Sequence, residues 1–102
     1  MIYAIIRHKV RDFAQWKPVY DAHGAARKQA GCRNEQLFRI SGDPNDLVIL
    51  TEWDNLEDAR KFAQSTDLRD KMLEGGVQGT PEIQYLEQIE KRATGEGLGK
   101  AA

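Results

Sequence analysis

The sequence predicts an α+β sandwich, a four-stranded antiparallel sheet with helices on one face, and three observations predict it. Short apolar runs rich in β-branched and aromatic side chains fall in four places, within residues 2–10, 33–40, 47–53 and 82–90. Two stretches with apolar side chains at three-and-four spacing, residues 13–30 and 56–73, lie between the first and second runs and between the third and fourth. A turn-forming segment, Ser41-Gly42-Asp43-Pro44-Asn45-Asp46, joins the second run to the third as a hairpin. The order is strand, helix, strand, strand, helix, strand. Right-handed crossovers then place strands one and three in the middle of the sheet, which is the ferredoxin-like arrangement.

Residues 2–10 alternate loosely, with Ile2, Ala4, Ile6, His8 and Val10 on one face and Tyr3, Ile5, Arg7 and Lys9 on the other. Asp12 with Gln15 three residues on resembles a capping box, and it starts a helix that runs to about Ala30, where Gly31 supplies a stop. Along it Phe13, Trp16, Tyr20, His23, Arg27 and Ala30 share one stripe. Pro18 removes a backbone donor, so a kink or a separate first turn is expected there. Asp54 with Glu57 reads as a second capping box, opening a helix whose Leu56, Ala59, Phe62 and Ala63 share a face. Ser65-Thr66-Asp67 interrupts that helix; a further piece carries Leu68, Met72 and Leu73 and ends at Gly75-Gly76. Residues 77–81 read as loop and 82–90 as the last strand. The domain therefore spans residues 1–90, and the small, charged and Gly-rich residues 91–102 read as a flexible tail.

Leu47 to Trp53 is the most informative run. Val48 and Leu50 lie on one face, Leu47, Ile49 and Trp53 on the other, so neither face suits water. The helices of the same chain cover one face only. A bare apolar sheet face is rare on a soluble monomer, and the expectation is a homodimer paired through its sheets.

With 102 residues the chain is one domain, burying roughly 65% of its unfolded surface. The composition, 40% hydrophobic and 30% charged, is that of an ordinary globular protein. A net charge of -1 argues against nucleic acid and acidic membranes as partners, since either needs a surplus of Lys and Arg. The apolar N-terminal residues before Arg7 are too few for a signal peptide core or a membrane span. The single Cys32 permits no internal disulfide, which fits a cytoplasmic location, and it reads as a partly buried side chain after a helix.

His8 and His23 are the only histidines, and parity and stripe point both into the space between sheet and helices. Either could act as a general base there, with Tyr20 orienting the substrate by its hydroxyl. Trp16, Phe62 and Met72 would line a flat apolar cavity suited to an aromatic ligand, or would simply fill the core. Arg39 and Arg7 lie on strands, as an anchor for a carboxylate or enolate or as ion-pair partners of Glu52 or Glu87. A metal set of His8, His23 and Glu52 or Asp21 has no spacing to support it, and no metal is expected. Asp54 to Lys61 runs from acidic to basic and reads as a solvated helix face. No phosphate loop, nucleophile elbow or Cys-pair motif is present.

The element order, the double-faced strands and the run Val48-Ile49-Leu50-Thr51-Glu52-Trp53-Asp54-Asn55-Leu56-Glu57-Asp58-Ala59 resemble the dimeric α/β-barrel proteins of the antibiotic biosynthesis monooxygenase type, over residues 2–90. The resemblance implies two sheets closed into a barrel across a dimer, and a pocket in each subunit between its own sheet and helices. The superfamily also holds haem-degrading monooxygenases, muconolactone isomerases and polyketide cyclases, so fold alone names no activity. The haem-degrading branch uses an Asn, a Trp and a His. With Trp53 aligned, the Trp position falls on Phe62, the His position on or near Met72, and the first-strand position on Ile6 or His8. That triad is absent. The resemblance thus implies a cofactor-free monooxygenase or cyclase acting on an aromatic or polyketide-like molecule. A ligand-binding or stress-related dimer without chemistry, and a purely structural dimer with a filled core, are the alternatives.

Overall fold

The computed structural model describes residues 1–95. The expected tail, 91–102, lies partly outside the described residues. Eight elements follow in order: β1 (Ile2–Val10), α1 (Phe13–Ala22), α2 (Gly24–Ala30), β2 (Cys32–Arg39), β3 (Asp46–Trp53), α3 (Leu56–Ala63), α4 (Thr66–Glu74) and β4 (Val77–Glu87). The sheet is antiparallel with strand order β2-β3-β1-β4, so β1 and β3 are central as the crossovers require.

Parity decides what each central strand buries. Ala4, His8 and Val10 of β1 and Leu47, Ile49, Thr51 and Trp53 of β3 are buried on the helix side. The core divides into one cluster around Trp53 and Ala59 and another around Trp16, Leu47 and Ile49. The opposite face carries Ile5 paired across to Leu50, Phe38 to Val48, and Tyr3 to Leu86. Phe38 and Leu86 are exposed there, and Ile5, Val48 and Leu50 are only half-buried.

The helices depart from expectation in instructive ways. Pro18 lies inside α1, and the break comes five residues later at His23, between α1 and α2. Gly24 follows it, the residue most costly to hold in a helix after proline. Asp12 caps α1 by accepting from the Ala14 amide at 3.1 Å. The cap of α3 is Asn55 accepting from Asp58, one residue after the expected Asp54, whose carboxylate instead binds Arg33. Ser65 caps α4, as its type predicts.

Residues 77–81, expected as loop, belong to β4, and the strand ends at Glu87 rather than Glu90. Gly79 and Pro81 suggested a loop, but β4 is an edge strand and its register against β1 shifts between Arg7 and Lys9. An edge with a bulge is where a strand tolerates Gly and Pro.

Gly31 ends α2 with φ of 112°, and a Cβ there would lie 3.0 Å from Oδ2 of Asp58. Gly31→Ala is expected to destabilise the fold by about 1–2 kcal/mol, read as a lower urea midpoint at unchanged slope. An unshifted midpoint would contradict this account.

Candidate functional site

Between the sheet and the helices lies an apolar cavity of about 90 Å³. A single water needs roughly 10–15 Å³ measured in this way, so the space is several waters large. Six of the seven predicted site residues line it: His8, Trp16, Tyr20, His23, Phe62 and Met72. Arg39 does not. Its register partner is Leu47, near the end of β3, and its guanidinium lies over Phe13 at 4.9 Å from the ring centre. Arg7 also differs from expectation, pairing with Asp46 at 2.9 Å rather than with Glu52 or Glu87. That pairing holds the Asp46 carboxyl below the usual carboxylate range.

One wall is an aromatic ladder. Trp16, 4% exposed, stacks on Tyr20 with ring centres 4.7 Å apart, and the ring of His8 meets it edge-on at 5.7 Å. The helical spacing of Trp16 and Tyr20 produces the stack, and parity along β1 delivers His8 to it. A second aromatic group runs from Trp53 through Phe62 to His23, at 5.5 and 5.6 Å. Each histidine therefore has its own aromatic neighbours.

The two histidines also differ in hydrogen bonding. His23 is buried, and its Nε2 lies 2.6 Å from Oδ2 of Asp67, a carboxylate in the first turn of α4. His8 is buried with its Nδ1 lacking any partner. Burial pushes its imidazole below the ordinary value, with Asp46 opposing the shift in part. The ring is neutral at pH 7. Tyr20 offers the second unpartnered atom, its buried hydroxyl oxygen. Burial pushes this hydroxyl well above the ordinary phenol range, and the nearby carboxylate of Glu35 adds to the rise. It stays a donor.

Several wall residues were not legible from spacing. Thr51 donates to the carbonyl of Ala4 at 3.1 Å and accepts from the indole N–H of Trp53 at 2.7 Å, so it is fully engaged. Arg27, 6% exposed, lies with its guanidinium 3.8 Å from the Tyr20 ring centre and donates to Glu35 through Nε and Nη2. The apolar stripe contained Arg27 but gave no sign of its partner. Cys32 is buried, and burial pushes its thiol up, which makes it a poor nucleophile. Among the described residues no group of three metal-ligating side chains converges: Glu52 shares the outer face with Tyr3, and Asp21 binds Lys17.

The chemistry available is narrow. The walls of this apolar slot hold one neutral imidazole and one phenol whose Nδ1 and Oη are buried without hydrogen-bond partners among the described residues, and each unmade hydrogen bond costs stability.

Known proteins agree with the fold. Solved structures superpose on nearly the whole chain: an antibiotic biosynthesis monooxygenase family protein of Bordetella bronchiseptica (TM-score 0.74, 17% identity, covering 87% of this chain and 97% of that one) and its Caulobacter crescentus counterpart (0.70, 20%, 87% and 90%). SnoaB, a cofactor-independent oxygenase from Streptomyces nogalater, is similar too (0.70, 15%, 93% and 97%). No curated protein matches the chain. The family model for antibiotic biosynthesis monooxygenase matches residues 1–72, from β1 into α4. The chain belongs to the antibiotic biosynthesis monooxygenase family.

Proposed function

We propose that the protein is a cofactor-independent monooxygenase that oxidises an aromatic or polyketide-like ketone in the cavity between sheet and helices. The observation that carries this reading is a pair of buried polar atoms without partners among the described residues, His8 Nδ1 and Tyr20 Oη, on two residues that line a mostly apolar slot. Family membership and the likeness to a cofactor-independent oxygenase support it. His8 is the proposed base because its Nδ1 carries no partner among the described residues, whereas His23 is tied to Asp67 through Nε2.

The chemistry follows from those two atoms. His8 takes a proton from the activated CH₂ conjugated with the substrate carbonyl. The electron pair moves onto the carbonyl oxygen, where the Tyr20 hydroxyl stabilises the enolate by hydrogen bonding. One electron passes to O₂, and the carbon radical and superoxide join as a peroxide anion. That anion recovers the proton from His8. Loss of water from the hydroperoxide, with the remaining hydrogen of that carbon, leaves a new carbonyl. One oxygen atom ends in the product and the other in water.

We also propose that the bare sheet face is covered by a second copy, placing Phe38, Val48, Leu50 and Ile5 in a barrel between two sheets. Light scattering at micromolar concentration should give twice the 11.6 kDa of the chain. A mass of one chain would remove the dimer.

Oxygen uptake with an anthrone substrate tests the chemistry. His8→Ala should lower the rate by about 10²–10⁴-fold and Tyr20→Phe by a smaller factor, with His23→Ala the least affected. Equal rates in all would take these residues out of the mechanism, and ligand-induced thermal stabilisation without turnover would leave a binding protein.

The pH dependence has a fixed sign. His8 must be neutral to accept the proton, and its folded value lies below the ordinary 6.5. The rate should hold from pH 8 to about 6.5 and fall only at more acid pH. Stability behaves likewise. The unfolded chain binds the proton more readily, so stability is full above pH 6.5 and declines as pH falls toward the folded value. Asp46, held below 3.8, does not titrate in that window. His8→Leu should flatten the part of the Tm-against-pH curve between pH 6.5 and 5, and an unchanged slope would contradict the assignment.

A further inference from the structure

Arg27 is the buried cation of the cavity wall, and an isolated guanidinium at an apolar slot is an invitation to carboxylates and phenolates. It is not isolated. Its Nε lies 2.7 Å from one oxygen of Glu35 and its Nη2 3.3 Å from the other. The Glu35 side chain is 37% exposed and faces an open polar groove beyond Arg27, whereas the guanidinium reaches through to the cavity and covers the Tyr20 ring at 3.8 Å. Arg27 thus has charge cancelled from outside and donors remaining, since the recorded bonds leave Nη1 without a partner among the described residues.

We infer that Glu35 is a specificity-determining residue: by neutralising Arg27 from outside the cavity, it makes the site select neutral aromatic ketones over aromatic carboxylates. This rests on the cavity being the ligand site proposed above. A ketone oxygen takes the hydrogen bond that the Tyr20 hydroxyl lacks and sits beside a polarised but balanced ion pair. A carboxylate in the same place adds an unpaired negative charge to a wall that already holds one, in a slot with little water to screen it. When His8 removes a proton from a bound ketone, the enolate forms beside the remaining Arg27 and Tyr20 donors, so the preference for a neutral ground state coincides with stabilisation of the developing charge.

The test uses two probes with the same ring system, 2-acetylnaphthalene and 2-naphthoate, titrated by calorimetry against the full chain and against Glu35→Gln and Tyr20→Phe. The wild-type protein should bind the ketone at least about tenfold more tightly than the carboxylate. Glu35→Gln keeps an acceptor for Arg27 but removes the charge, and it should raise carboxylate affinity about tenfold while leaving the ketone within about threefold. Tyr20→Phe should weaken the ketone by about three- to tenfold. Carboxylate binding to wild type as tight as the ketone's would overturn the inference with no variant needed, and so would an unchanged carboxylate affinity in a folded Glu35→Gln protein. If neither probe binds either protein, the cavity is not the ligand site and both readings fall.

Discussion

The pairing of β1 with β3 is the constraint on which the rest of the structure depends. Eight partners run from Ile2 opposite Trp53 to Lys9 opposite Asp46, and both strands carry large apolar side chains on both faces. A slip of one residue would move Leu47, Ile49, Thr51 and Trp53 to the outer face and Val48 and Leu50 into the core. The register is held at both ends by polar contacts. At one end Thr51 reaches across to the Ala4 carbonyl and takes the Trp53 indole proton. At the other, Arg7 binds Asp46 through two nitrogens. Because His8 lies between those ends, the same register decides that its ring meets Trp16 inside the cavity rather than solvent.

The helix breaks matter as much as the helices. Two uninterrupted helices would present two straight stripes to the sheet. Here α1 gives way to α2 at His23, and α3 to α4 around Ser65. The breaks bring His23 and Asp67 together, residues 44 apart in sequence, and join the α1–α2 junction to the start of α4. With Asp67 on the Nε2 of one histidine and no partner on the Nδ1 of the other among the described residues, two residues of the same type are given different hydrogen bonding by their neighbours.

What could be read from the sequence was what obeys a period. Two-residue alternation placed His8 on the helix side and Trp53 on one face with Leu47 and Ile49, and three-and-four spacing gathered Trp16, Tyr20 and His23 on one stripe. Punctuation was less secure. Pro18 looked like the breaker of the first helix, yet the cost of Gly24 and the geometry at His23 decided the break. Gly79 and Pro81 looked like loop, because an edge position with a bulge is a property of the assembled sheet. Pairings between side chains from different elements were beyond reach altogether. Arg27 and Glu35 are eight residues apart, but only the left-handed turn at Gly31 folds β2 back beside α2 and closes their ion pair. Arg39 failed for the complementary reason: the sequence placed it on a strand, but its position at the end of β2, opposite Leu47, put it by Phe13 instead of the cavity.

Charge balance ties these pieces to the proposed chemistry. Arg27 is bonded to Glu35 and His23 to Asp67, whereas the Nδ1 of His8 has no partner among the described residues. Burial, only partly offset by Asp46, is the reason its imidazole resists protonation. The resistance does not carry over to proton transfer from a bound ketone. The proton taken by His8 leaves an enolate in the same slot, so imidazolium and enolate appear together and the net charge of the cavity does not change. In an apolar medium their mutual attraction is strong, and it offsets much of the desolvation that otherwise keeps His8 neutral. A base that is weak toward solvent protons and effective toward a substrate held beside it is the arrangement expected where O₂, rather than water, must reach the carbanion first.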